Sequence, residues 1–374
     1  MITLLYLSSG LFLGWSLGAN DAANVFGTAV GTKMLKFQFA AMVASIFVIM
    51  GAVISGTGAS ETLGSLGSVN KIAGAFIVVL SAGIAVYWMT RLGLPVSTSQ
   101  AIVGSIIGWN LFAGIQTDIQ VLLKIVGSWI MSLVLAALFA FIIYRLVIGF
   151  KSLQKIHLFR LDAYTRLGLI LVGAFGAYSL GANNIANVMG VFVSISPFQD
   201  ISLGPLNFTS IQQLFLMGGI AIAIGIFTYS YRVMLTVGKS VYKLTPQTAL
   251  IVVLAESLVL FLFASRGLHD FLVIRGLPAF PLVPVSSSQL IVGAIIGVGI
   301  AKKARNIKYR ALGRIGIGWI VTPLISLLIC FVSLFVCQNV FTQDVVDRRV
   351  AVIQNSDHKY YAQEFEKNEL FLNP

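Results

Sequence analysis

Charge is what this chain has least of. Of its 374 residues only 10% are Asp, Glu, Lys or Arg, against 57% hydrophobic, and the mean hydropathy is +0.93. A soluble domain of that length could not cover itself with so few charges, whereas a surface facing lipid needs none, so a large soluble domain is excluded. Cysteine is nearly absent. Cys330 and Cys337 lie seven apart on one helix face of the last apolar run, too far along it to bridge, which leaves them as packing residues. The three histidines, His157, His269 and His358, have no metal-ligand spacing, and no nucleophile–base pair accompanies them, so an enzyme is not expected. Apolar–polar alternation is missing too, which excludes the strands of an outer-membrane barrel. Acidic residues are scarcer than basic ones, 13 against 25, for a formal charge of +12. Those bases sit in short loops with no aromatic-lined basic groove, which argues against a nucleic-acid partner.

What is there in quantity is apolar sequence. Ten segments near 3–31, 38–56, 71–90, 95–113, 121–149, 166–193, 211–231, 246–265, 284–301 and 312–338 are candidate membrane helices. The opening MITLLYLSSG lacks a basic stretch and reads as the first of them, not as a cleaved signal. The first and sixth are interrupted by polar clusters, and the fourth and ninth are short, so these two either cross fully or re-enter. The 121–149 segment would be about 43 Å long as one helix and must tilt or bend. Orientation follows from Lys and Arg. The 302–314 loop carries Lys302, Lys303, Arg305, Lys308, Arg310 and Arg314, the 145–166 loop is also basic, and 194–210 has none. Lys33, Lys36, Arg91, Arg232, Lys239 and Lys243 continue the alternation. The basic loops belong in the cytoplasm, which puts both termini outside. The expectation is an all-α, multi-pass protein of the inner (plasma) membrane. It divides into 1–150, a basic linker at 151–165, a second half at 166–338 and a polar, solvated tail at 339–374.

The two halves repeat each other. SLGANDAANVFGTAVG at 16–31 matches SLGANNIANVMGVFVS at 179–194, and PVSTSQAIVGSIIG at 95–108 matches PVSSSQLIVGAIIG at 284–297. An odd number of crossings per half makes the copies antiparallel, an inverted-topology repeat with broken or re-entrant helices.

Each motif suggests a chemistry. Asn20, Asp21 and Asn24 share a helix face, as do Asn183, Asn184 and Asn187, and oxygens at lipid depth are costly unless they coordinate or pair. Gly18 and Gly27 would let carbonyls open toward a ligand, completing a hard-oxygen cage suited to Na⁺. Polar glue between helices is the bland alternative. The second motif reads as a helix start after Pro95 or Pro284. Ser97, Thr98, Ser99 and Gln100, with Ser286, Ser287, Ser288 and Gln289, would present hydroxyls and free N–H groups to an oxyanion. Hydroxyls that bond back to their own helix are the alternative there. Glu256, in VLAESLVL, is a buried acid without a counterpart in the first half, a candidate cation or proton site or an interhelical bonding partner. Glu61, in GTGASETLG, is expected at an interface or gate.

At these residues the chain resembles the inorganic phosphate transporter (PiT) family, whose hallmark is a GAND-x-A-N motif in each half followed by a P-V-S-[ST]-[ST] segment. Gly18-Ala19-Asn20-Asp21 with Ala23-Asn24, and Pro95 to Ser99, carry the resemblance in the first half. Gly181-Ala182-Asn183 with Ala186-Asn187, and Pro284 to Ser288, carry it in the second. The resemblance spans about 14 to 338 and implies secondary active transport of phosphate, driven by Na⁺ or H⁺, with a homodimer plausible in the membrane lipid. It implies phosphate contacts from the Ser/Thr segments, and cation binding by Asn20, Asp21, Asn183 and Asn184. Asn24 and Asn187 would help line the substrate site. Two departures stand out. Asn184 replaces the usual Asp, and Gln100 and Gln289 stand where many members have His, removing groups that titrate near neutrality and favouring Na⁺ over H⁺. Some relatives move sulfate; Gln100, Gln289 and Asp21 could accept from the P–OH that sulfate lacks, which favours phosphate. No cofactor beyond the coupling ion is expected, and a passive anion channel is the different-class alternative.

Overall fold

The computed structural model describes residues 2–67, 69–91, 96–153, 158–203, 206–240, 245–303 and 309–347. Pro95, His157, Lys243, Arg305, Lys308, His358 and residues 348–374 of the tail expected at 339–374 lie outside the described residues.

Leu-, Ile- and Ala-rich runs with little to break them form the helices. They are α1 (Ile2–Asn20), α2 (Ala22–Gly31), α3 (Phe37–Ser55), α4 (Thr57–Leu66), α5 (Ile72–Arg91), α6 (Thr98–Ala113), α7 (Ile119–Leu153), α8 (Leu158–Met189), α9 (Ser210–Ser240), α10 (Pro246–Ala264), α11 (Arg266–Ile274), α12 (Ser287–Ala301) and α13 (Tyr309–Asn339). Hydroxyl caps start several of them. Thr245 heads α10 with Pro246 in the first turn, while left-handed Gly114 (φ 70°) ends α6.

Each of the ten apolar segments contains helix, but seven helices (α3, α5, α7, α8, α9, α10 and α13) are long and apolar enough to cross a membrane. The remaining three segments are α1–α2, which is split, and the shorter α6 and α12. α7 and α13 form the lipid-facing exterior, with Ile130 (67% exposed), Leu146 (66%) and Ile320 (67%) pointing outward. The core lies inside them around Trp109, Phe26, Phe192 and Phe263, all fully buried.

Helix contacts map onto themselves when the halves are exchanged. α1 packs on α9 as α8 packs on α3, α1 on α5 as α8 on α10, and α13 on α6 as α7 on α12. The last helix of each half therefore packs on the serine-motif helix of the other, and the halves interlock. Glycines set these approaches in matched pairs. A methyl group on Gly18 would overlap the Ile222 carbonyl, and one on Gly181 the Val48 carbonyl; Gly104 meets Pro323 as Gly293 meets Leu133. Gly18 and Gly27 have a packing role: they let α1 and α2 approach α9, with Gly27 against the Met234 backbone.

α5 and α6 form a hairpin. The Asn110 amide, near the end of α6, donates to the Leu66 carbonyl at 3.1 Å, and the Trp109 indole lies against Gly74 at the start of α5. The tip of the hairpin is therefore the Ser97 turn.

Four local expectations change. The interruption in the first segment is a single residue, Asp21, where Asn24 N–H bonds the Asp21 carbonyl at 3.0 Å in a tightened turn. α8 runs unbroken through Asn183 and Asn187 and only tightens into a 3₁₀ turn over Gly190–Ile195. The loop expected at 194–210 holds two short strands paired antiparallel, β1 (Ile201–Leu203) and β2 (Leu206–Phe208), and the connection from α10 to α12 holds helix α11. Within the tail, Val340 and Phe341 are exposed as expected, but residues 345–347 are docked. Asn70 donates to the Asp347 carbonyl at 3.2 Å and accepts from its N–H at 2.9 Å, and Val345 is fully buried beside Gly74.

Candidate substrate and cation site

Two helix starts and two amide-rich helix segments meet in the middle of the bundle. At each start a serine caps the helix. Ser97 has an extended backbone and accepts from the Gln100 N–H at 3.3 Å; Ser286 accepts from the Gln289 N–H at the same 3.3 Å. The residues that follow, Thr98, Ser99, Gln100, Ser287, Ser288 and Gln289, are buried.

The bonds between motifs cross from one half to the other. Within the first half, the Thr98 hydroxyl donates to Asp21 Oδ2 at 2.7 Å. Across the halves, Asn24 donates to Ser287 Oγ at 3.3 Å and Asn187 donates to Ser99 Oγ at 2.9 Å. Ser99 passes a bond on to the Val285 carbonyl at 3.0 Å, and Ser286 and Ser288 share one at 3.0 Å. Asn187 also donates to Asn184 Oδ1 at 3.0 Å. Asp21, at 2% exposed, is shut off from solvent, and the hydroxyls and amide nitrogens named above are bonded within the site.

Not every amide faces that centre. Asn183 donates to the Val283 carbonyl at 3.0 Å and accepts from the Val285 N–H at 2.9 Å, and so holds the chain ahead of the Ser286 cap. Trp129 adds a bond to the Pro284 carbonyl at 3.2 Å. Asn184 donates to the Leu180 carbonyl one turn back at 3.3 Å. Asn20 donates to Asp21 Oδ1 at 3.3 Å and lines a separate crevice with Tyr87, Thr90 and Arg91.

Buried acceptors without a partner mark what the arrangement is able to bind. Among the described residues they include Gln100 Oε1, Gln289 Oε1, Asn187 Oδ1 and both carboxylate oxygens of Glu256. The first two are repeat-related. A buried amide oxygen left unpaired costs about 1–3 kcal/mol unless a cation or a donor meets it. The amide oxygens among them, with the Asp21 carboxylate, are of the kind that suits a hard monovalent cation, and the hydroxyls and helix-start N–H groups suit an oxyanion.

Sequence reasoning missed three contributors. The Asn183 bracket on 283–285 pairs residues about a hundred apart, which no local pattern encodes. Glu61 of α4 pairs with Arg266 at the start of α11 at 2.5 Å, and the Thr62 hydroxyl donates to the Leu282 carbonyl at 2.6 Å. α4 and α11 thus brace the extended chain that leads to Ser286, which a gate reading of Glu61 alone did not anticipate. The signal available for both helices was a short polar-flanked amphipathic stretch beside Ser265 and Gly56.

The helices long and apolar enough to cross a membrane define a multi-pass membrane protein, and the family match assigns it to the transporters. The chain belongs to the phosphate transporter family, whose profile matches residues 17–330 and, in a second stretch, 279–358. A protein of Thermococcus kodakarensis, provisionally named a phosphate permease, is 26% identical and aligns with 87% of this chain and 95% of its own. One of Methanocaldococcus jannaschii with the same provisional name is 28% identical, over 88% and 95%. Inorganic phosphate transporter 2-1 of Arabidopsis thaliana is 24% identical over 86% of this chain and 69% of its own. A solved structure titled the sodium-dependent phosphate transporter has the same fold, with a TM-score of 0.69 at 23% identity, covering 90% of this chain and all of that one.

Proposed function

We propose that this protein carries inorganic phosphate across the membrane together with Na⁺, by alternating access between two inverted repeats. The observation that carries the reading is the pair of inter-half bonds, Asn24 to Ser287 and Asn187 to Ser99, which join the serine turn of each half to the amide motif of the other. An oxyanion entering there would take over these hydroxyls and amides from one another. Asp21 would hold the cation beside it, with Asn20, Gln100, Gln289 and Asn187 lending oxygens and the charges of the two cargoes offsetting each other. Asn183 and Asn184 act in this reading through the backbone and through Asn187. The self-mapping helix contacts and the alternation of Lys and Arg support oppositely directed halves with both termini outside.

Uptake of radiolabelled phosphate by sealed proteoliposomes tests this, with sodium and pH gradients imposed independently and sulfate as the competing substrate. Sodium-driven accumulation is expected, with little competition from sulfate. Equilibration without accumulation would instead identify a channel.

Glu256 favours a second coupling reading. A carboxyl group fully buried in α10 with neither oxygen bonded is stabilised at that depth by a bound cation or by a proton. Glu256→Gln separates the two. Loss of sodium activation assigns it to the cation, and loss of pH dependence with sodium activation intact assigns it to a proton.

A further inference from the structure

Away from the serine turns, a cavity of about 710 Å³ opens where α2 gives way to α3, walled on its other side by α8 and α9. Lys33, Lys36 and Arg166 line it. The turn closing α2 places the two lysines there, with Lys33 in the left-handed region at φ 60° and its N–H bonded to the Val30 carbonyl at 3.0 Å. Among the described residues the ion pairs are Lys71–Asp347, Arg266–Glu61 and Arg266–Asp270, so none neutralises these three cations. Asp162, one turn before Arg166, borders an adjoining cavity of about 390 Å³ that shares Arg166 and Ile170.

The rest of the lining is hydrocarbon and aromatic. Phe37 and Tyr231 meet edge to face with centroids 5.0 Å apart, and Ile170 and Phe39 complete the wall. Phe39 (41% exposed) and, beside the adjoining cavity, Leu167 (54%) face outward from the bundle. The cavity also sits at membrane-boundary depth, because the apolar span of α3 begins at Phe37, directly after Lys36.

A small soluble anion has no use for an aromatic wall opening toward lipid, and an uncharged lipid has no use for three unpaired cations. A lipid with a phosphodiester headgroup of net negative charge matches both parts, and basic pockets between membrane helices are suited to that chemistry. We propose that this cavity binds the headgroup of an anionic phospholipid, with the acyl chains running out along Phe39 and Leu167. The headgroup would tie the α2–α3 turn to α8. α2 is ten residues long, so its far end at Asp21 is about 15 Å from the clamp. Binding is measured without transport, so the proposal stands or falls apart from the function proposed above.

The test is native mass spectrometry of the purified full chain, titrated with phosphatidylglycerol or phosphatidylcholine. Retention of phosphatidylglycerol over phosphatidylcholine is expected. It should fall at least about fivefold in the triple variant Lys33→Gln, Lys36→Gln, Arg166→Gln and stay unchanged in a control carrying Lys124→Gln and Arg275→Gln. Lys36→Glu alone, at an exposed position, carries the same expectation should the triple variant fail to fold. Equal retention of the two lipids, or undiminished phosphatidylglycerol on the Lys36→Glu protein, would overturn the proposal. So would displacement of the lipid by millimolar inorganic phosphate, which would assign the three cations to the free ion.

Discussion

At the residue scale, Asp21 bears the most. It interrupts the first helix and accepts from Thr98, and it is the one acid of the two amide motifs. Asp21→Asn keeps the shape and removes the charge, so phosphate uptake should fall to background while the protein still purifies as a folded species. Ser287 contributes less. An interhelical hydrogen bond in a membrane contributes about 0.6 to 2 kcal/mol. Ser287→Ala should therefore raise the phosphate concentration for half-maximal uptake about three- to thirtyfold, with the maximal rate nearly intact. Wild-type kinetics in that variant would remove Ser287 from the site. Asn183 was expected among the cation ligands. Its two bonds to the 283–285 backbone predict a different phenotype for Asn183→Ala, a loss of about 1–3 kcal/mol seen as a lower melting temperature in detergent, together with lost uptake.

The glycines of the SLGAN motifs make their case at the scale of elements. Gly18 and Gly181 lie in the two copies of that motif, and each faces a carbonyl on a helix of the other half. A methyl group at either position must push two helices apart, at a cost of about 1–3 kcal/mol. Gly18→Ala and Gly181→Ala should each lower thermal stability by several degrees. Gly127→Ala should leave it unchanged, because nothing lies within 4 Å of a Cβ there and that face of α7 is open. Equal melting temperatures across the three would remove these contacts as determinants of packing. α4 and α11 belong to the same scale. Among the described residues they have no counterparts under exchange of the halves, and they are joined by Glu61 and Arg266. Both side chains are more than half exposed, so a double-mutant cycle should return a coupling of only about 0.2–1 kcal/mol in stability.

Across the whole molecule, two interlocked halves enclose one polar centre inside an apolar shell. The docked residues 345–347 add a strap on the side where α5 begins. Asn70→Ala removes both of its bonds to Asp347 and should lower the melting temperature in detergent without changing the sodium dependence of uptake. A shift in sodium activation would instead connect the strap to the transport cycle.

Much of this was legible in the chain itself. Scarce charge and recurring apolar runs dictate a helical membrane protein, because a backbone in lipid must satisfy its own hydrogen bonds. Two motifs repeated in order reveal a duplication, and the hydroxyls after each proline mark helix starts, since a cap is a local contact between neighbours. The serine caps, the hairpin turn and the partners of the motifs differ in this respect. Which hydroxyl meets which amide, which glycine faces which carbonyl, that Asn183 grips the backbone at 283–285, and that three scattered cations share one cavity depend on contacts between residues far apart in sequence. Packing of one half against the other decides them, and no local pattern encodes where a distant helix will lie.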